Sequence, residues 1–91
     1  PFTLESKDAA SNIMGSGSLV TEYPATQLGQ LNYLKKLKEV VEEVGGDGLV
    51  YWEPAWVSTN CATPWGIGSH WENAALFDFD NKANLGMQFY N

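Results

Sequence analysis

Apolar residues between positions 28 and 44 recur at spacings of three and four: Leu28, Leu31, Leu34, Leu37, Val41 and Val44. That period places them on one stripe of an α-helix. Lys35, Lys36, Lys38, Glu39, Glu42 and Glu43 fill the other faces, so this charge run reads as a solvated surface. Tyr23-Pro24-Ala25-Thr26 forms the entrance, with Thr26 as a hydroxyl N-cap. Gly45-Gly46 supplies a left-handed stop. The helix is about 18 residues, roughly 27 Å long. With one apolar stripe it packs on one surface, for which a sheet is the expected partner. After the Asp47-Gly48 turn the pattern changes to an unbroken apolar run, Leu49-Val50-Tyr51-Trp52. The run predicts a strand buried on both faces, the αβ step of a parallel sheet.

The flanks are less regular. Residues 1–22 carry Asp8, Ser11 and Asn12 within five positions, then the spacer Gly15-Ser16-Gly17-Ser18. A loop this long in a compact domain is functional or disordered. Residues 57–71 read as a second loop, carrying Cys61, Trp65, His70 and Trp71. Glu72-Asn73-Ala74-Ala75 leads into Leu76-Phe77-Asp78-Phe79. Asp80-Asn81-Lys82 is a turn, and 83–90 a short helical or irregular tail. There is no internal repeat and no domain boundary. A parallel sheet needs several αβ units, and this chain holds about one, so it reads as part of something larger.

Composition narrows the function. Hydrophobic residues make up 44% of the 91 and charged residues 18%, which is globular material. The net charge is −6, with five lysines and no arginine. Nucleic-acid binding needs clustered cations for the phosphates, so it is excluded, and so is a polybasic membrane surface. No apolar run approaches the roughly 20 residues of a membrane span. The opening Pro1-Phe2-Thr3-Leu4 is no signal peptide and looks cut rather than started. The single cysteine, Cys61, allows no internal disulfide.

Several arrangements invite chemistry and fail. Asp78-Phe79-Asp80-Asn81 has the start of a calcium loop, but Ala83 and Phe89 stand where an EF-hand needs glycine and glutamate. His70 and Cys61 are too few ligands for structural zinc, and no motif supports them as a nucleophile pair. Glu22 suits a surface position before a helix N-terminus. Glu53 sits between two indoles in Tyr51-Trp52-Glu53-Pro54-Ala55-Trp56. If buried it requires a partner, so it either braces neighbouring groups or bonds a sugar hydroxyl. All four tryptophans lie between positions 52 and 71, as in a sugar-binding cleft or a small core.

The stretch Tyr51–Trp56 resembles the glycoside hydrolase family 53 galactanases. Tyr23-Pro24-Ala25-Thr26 with Gly29-Gln30 is similar to the family's entrance to the seventh barrel helix. Gly68-Ser69-His70-Trp71-Glu72-Asn73-Ala74-Ala75-Leu76-Phe77-Asp78-Phe79 is similar to a further family segment. The three motifs stand in the family's order and span nearly the whole chain. The resemblance implies an α/β fold: the C-terminal fragment of a (β/α)8 TIM barrel, comprising loop 7, helix 7, strand 8, loop 8 and the tail. It also implies retaining cleavage of β-1,4-galactan, the side chain of pectic type I arabinogalactan. Retention needs two carboxylates about 5–5.5 Å apart. In the family they close strands 4 and 7. Strand 4 is absent, and Pro1–Glu5 aligns just after the nucleophile, so neither catalytic glutamate is expected within these residues. Trp52 matches an aromatic that floors the −1 sugar, and Trp65 a loop-8 indole that stacks on a more distant galactose. With Glu53 they form the expected substrate-binding set, and Trp56 and Trp71 the expected packing.

Some bacterial members tie loops 7 and 8 with calcium. Here Asp8 and Asn12 fit the loop-7 pattern, while Ser6 replaces its first aspartate and Ala10 its histidine, leaving the carbonyl at position 10 as a substitute ligand. Ser69 and Glu72 stand at the loop-8 positions. Structural calcium held by Asp8, Asn12, Ser69 and Glu72 is therefore the implied cofactor. Implied partners are β-1,4-galactan oligosaccharides and the remainder of the barrel, and the implied location is secreted, periplasmic or cell-surface. The other reading is a free-standing carbohydrate-binding or structural module without catalysis. A fragment would expose the helix stripe and the flanks of 49–52, whereas a module would bury them.

Overall fold

The computed structural model describes residues 1–91. Its one long element is α1, Gln27–Glu43. Thr26 caps it as expected: its hydroxyl accepts from the Gly29 N–H at 2.9 Å. The C-terminal stop is a Schellman arrangement. Gly45 turns left-handed at φ 81°, the Gly46 N–H donates to the Val41 carbonyl at 2.8 Å and the Gly45 N–H to that of Glu42 at 3.0 Å.

The predicted strand at 49–52 does not form. Leu49 and Tyr51 pack partly buried against the core, but the intervening side chains face outward: Val50 is 92% exposed and Trp52 78%. The physical reason is the lack of neighbours. A strand exists through its ladder, and no other segment of these residues runs beside 49–52. The only sheet is a hairpin in the second loop, β1 (Ala62–Thr63) antiparallel to β2 (Gly66–Ile67), with Ala62 opposite Ile67 and Thr63 opposite Gly66. The sequence reading placed no strand there.

Nor does α1 meet a sheet. It packs against a 3₁₀ segment, Leu85–Tyr90, within the stretch expected to be helical or irregular. Of the apolar stripe only Leu31 and Leu34 are buried, and they join Leu76 and Phe89 in the core. Leu28, Leu37 and Val44 remain exposed. Gln30 ties the helix inward through an amide donating to the Ala75 carbonyl at 2.8 Å. The Asp80-Asn81-Lys82 turn forms as expected. Asn81 takes φ 61°, and Asp78 Oδ1 accepts from the N–H groups of Asp80 and Lys82 at 2.9 and 3.0 Å.

The centre of the molecule is Ser69–Leu76, whose first three residues belong to the expected second loop. Asn73 and Leu76 are 0% exposed and Glu72 1%. The N-terminal loop bonds to this hub through Phe2 N–H to the Asn73 carbonyl and Ile13 N–H to the His70 carbonyl, both 2.9 Å. The 53–56 arm bonds to it through Leu76 N–H to the Pro54 carbonyl at 2.8 Å. Asn73 donates its amide to the carbonyls of Thr3 and Met14 at 3.1 and 2.9 Å.

Only 14 of the 91 residues are buried, and the accessible surface is 5986 Å². A folded monomer of 10.0 kDa exposes about 5,200 Å². The radius of gyration is 13.8 Å, against about 12 Å for a compact chain of this length. No helix is long and apolar enough to cross a membrane.

Candidate functional site: an aromatic strip beside a two-loop clamp

Two concavities meet along the aromatic residues. One, of about 580 Å³, is lined by Leu37, Val50, Tyr51, Trp52 and Phe89 among others. The second, of about 590 Å³, holds Trp65, Thr59, Thr63, Ser69 and His70. Trp56 and Trp71 line both. The four indoles therefore form one strip, with Trp52 and Trp65 at its ends. Trp56 and Trp71, expected to be packing residues, are its middle. Their clustering within 20 positions was the available signal.

None of the four indoles is paired with another aromatic ring; the ring contacts are Phe2–Phe79, Tyr23–Tyr33, Tyr51–Phe89 and Phe89–Tyr90. Free indole faces suit the apolar C–H face of a sugar, and the polar groups of the second concavity suit hydroxyls. Trp65 is 79% exposed at the hairpin tip. There the sequence Thr63-Pro64-Trp65-Gly66 makes the turn, and Thr63 Oγ1 accepts from Trp65 N–H at 3.2 Å.

Glu53 differs from its expectation of burial. It is exposed, on a left-handed backbone at φ 49°, a conformation uncommon outside glycine. The loss of the strand removes the burial that would have forced it into bracing. Glu53 instead lines the first concavity.

Of the four residues expected to hold calcium, Asp8, Ser69 and Glu72 take part in a clamp between the loops, while Asn12 bonds within its own loop. Asp8 Oδ2 accepts from the N–H groups of Ser69 and Thr59 at 2.6 and 3.2 Å, and Oδ1 from that of Ala10 at 2.9 Å. Buried Glu72 reaches the other way. Its Oε1 accepts from the Lys7 N–H at 2.7 Å and from the Ser6 hydroxyl, and its Oε2 from the Ser58 hydroxyl. Ser69 Oγ accepts from Trp71 N–H at 3.3 Å. Asn12 donates its amide to the Glu5 carbonyl at 2.8 Å, and its Oδ1 is buried without a partner.

The clamp as arranged is short of a calcium set, which takes six to eight oxygens: two acidic groups contribute, each of their four oxygens accepts from a protein donor, and Asn12 Oδ1 is the one orphan oxygen among the four residues. No group of three His, Cys, Asp or Glu residues gathers anywhere in the chain. The two departures from the calcium pattern account for part of this. Ser6 spends its hydroxyl on Glu72, and the Ala10 carbonyl faces that same hydroxyl at 2.7 Å. Gly68 makes the clamp sterically possible: at φ 100°, a Cβ there would stand 2.5 Å from Asp8 Oδ1.

The electrostatics agree with a clamp. Burial pushes the Asp8 carboxyl up, but the N–H donors of Ser69, Ala10 and Thr59 outweigh it and hold it below the ordinary aspartate value. His70 is held above the ordinary imidazole value by the Ser11 carbonyl and then that of Trp65. Cys61 is exposed and free, and Glu22 is exposed ahead of the helix.

A segment with free indoles on a loop-clamped rim has the character of a carbohydrate-active protein. The family described as Glycosyl hydrolase family 53 matches residues 1–90, and the chain belongs to that family. It is 52% identical over 84 residues to an arabinogalactan endo-β-1,4-galactanase of Cellvibrio japonicus (strain Ueda107), which covers 92% of this chain and 22% of that protein. It is 42% identical over 67 residues to arabinogalactan endo-β-1,4-galactanase A of Aspergillus niger, covering 72% of this chain and 18% of the other. With the corresponding enzyme of Emericella nidulans it shares 33% identity over 63 residues, or 69% and 17% of the two chains. The chain thus spans about a fifth of the length of these relatives. No solved structure matches it significantly.

Proposed function

We propose that the chain is the C-terminal part of a retaining endo-β-1,4-galactanase barrel. It supplies galactan-binding aromatics and neither catalytic carboxylate. The observation that carries this reading is the uncovered apolar arm. A segment with Val50 92% and Trp52 78% exposed is what remains of a barrel strand whose neighbours belong to other residues. The rest of the barrel is the partner that covers the concavity beside it. Calcium is no part of this proposal.

Within the cleft, Trp52 stacks under the sugar nearest the scissile bond and Glu53 accepts from a hydroxyl beside it. Trp65 stacks on a galactose further out. Asp8 and Glu72 are committed to the clamp, and Glu22 and Glu53 are exposed single carboxylates, so no acid/nucleophile pair is provided from these residues. Hydrolysis of such a polysaccharide suits a secreted, periplasmic or cell-surface location for the complete protein.

The test compares two preparations on β-1,4-galactan. The complete protein releases reducing sugar and the purified 91-residue chain releases none. Release by the 91-residue chain would overturn the assignment and return Glu22 and Glu53 to consideration as catalytic groups. A complete protein inactive on galactan but active on another β-glycan would overturn the substrate.

A further inference from the structure

The hairpin that presents Trp65 cannot hold itself. It has two paired positions, β1 and β2, with every residue from 61 to 67 exposed. An isolated two-stranded hairpin is marginal in water even when longer. Its base is tied down, with Gly68 N–H donating to the Cys61 carbonyl at 3.1 Å and Ser69 N–H to Asp8. Those bonds leave the tip, where the indole is, free to swing.

One side chain reaches the tip from outside. His70 Nε2 lies 3.1 Å from the Trp65 carbonyl, and Nδ1 lies 2.8 Å from the Ser11 carbonyl in the N-terminal loop. The backbone adds a third tie, since the His70 carbonyl accepts from Ile13 N–H at 2.9 Å. The imidazole is thus a strut between the clamped loop and the peptide carrying the indole. Both ring nitrogens face a backbone carbonyl, the neutral ring donating to one of them and the protonated ring to both, which leaves no polar atom for a sugar.

We propose that His70 is a positioning residue, fixing the Trp65 peptide so that its indole is pre-oriented to stack on a galactose unit remote from the cleavage point. The proposal rests on the reading of Trp65 as a galactan platform. A platform ordered before the sugar arrives loses less conformational freedom on binding. The strut therefore acts on polymer affinity and not on the chemical step.

The complete enzyme is assayed as wild type, His70→Ala, His70→Gln, Trp65→Ala and the His70→Ala/Trp65→Ala double variant. The substrates are soluble β-1,4-galactan and the shortest β-1,4-galacto-oligosaccharide that it cleaves. Trp65→Ala raises KM for the polymer about threefold to tenfold. His70→Ala raises it about twofold to fivefold with kcat unchanged, and leaves KM for the short substrate alone. His70→Gln, with one amide donor, falls between wild type and His70→Ala. In the Trp65→Ala background the His70 substitution adds nothing. An equal shift on both substrates, full addition in the double variant, or a silent His70→Ala beside an effective Trp65→Ala overturns the strut. If Trp65→Ala itself leaves polymer KM unchanged, the platform reading fails instead. Should His70→Ala not fold, His70→Gln carries the same comparison.

Discussion

Two stretches of this chain, Leu49–Trp56 and Ser69–Leu76, end in opposite environments. The first is the more hydrophobic in sequence, yet Val50 and Trp52 stand in solvent. The second contains serine, histidine, glutamate and asparagine, yet Glu72, Asn73 and Leu76 are the most buried large side chains. The difference lies in where their partners are. Glu72 and the Asn73 amide nitrogen find donors or acceptors in residues 3–14 and 58, which offsets most of the desolvation cost; Asn73 Oδ1 is left without a partner. The 49–52 backbone has no strand beside it, and its apolar side chains have nothing from this chain to face. Burial follows from the supply of neighbours, and hydrophobicity only makes burial profitable when they exist.

That contrast can be broken most forcefully at Val50. In the complete protein Val50→Asp is expected to cost about 4 kcal/mol, the scale of an unpaired buried charge. In the 91-residue chain the same change at an exposed site stays within about 0.5 kcal/mol. Denaturant titration of both preparations checks this, and equal effects would show that the arm is exposed in both. At the hub, Glu72→Ala strands the Lys7 N–H and the hydroxyls of Ser6 and Ser58, and is expected to destabilise the complete protein by about 3 kcal/mol. A loss below about 1 kcal/mol would mean that water replaces the carboxylate easily.

The pH dependence sharpens the clamp itself. Asp8 is held below its unfolded value, so its contribution is present above that value and fades as pH falls through the depressed folded one. Asp8→Asn should flatten the acid limb of the stability curve, measured as Tm against pH. An unchanged acid limb would detach Asp8 from the clamp's energetics. The smallest effect is expected from a chelator. EDTA leaves Tm unchanged, because the clamp is closed by N–H and O–H donors. A drop restored by added calcium would reinstate Asp8, Asn12, Ser69 and Glu72 as metal ligands.

The sequence made α1 legible to within about a residue because its signals are local: a period, a hydroxyl cap and a glycine stop. The Asp80–Lys82 turn was legible for the same reason. Strand 49–52 was misread because its pattern describes a strand within a complete sheet, and a ladder is a long-range property. Hairpin 62–67 was missed because two pairs leave no alternation, although Pro64 and Gly66 flank a turn. For the site, the resemblance named Asp8, Ser69 and Glu72, which hydrogen bonds draw into one clamp, and Asn12, which bonds elsewhere. It could not say that Ser6 in place of an acid turns the ligand set into a hydrogen-bonded clamp. Trp56 and Trp71 joined the strip because the arm that carries Trp56 is tied to the hub at Pro54, a contact no local pattern announces.

The central claim is that residues 49–53 belong to a barrel whose other strands lie outside this chain. Amide hydrogen exchange, compared between the complete protein and the 91-residue chain, tests it most directly. The amides of Val50, Tyr51 and Trp52 are expected to be as strongly protected as those of Ala75 and Leu76 in the complete protein, and to exchange rapidly in the 91-residue chain. Rapid exchange at 50–52 in the complete protein would contradict it.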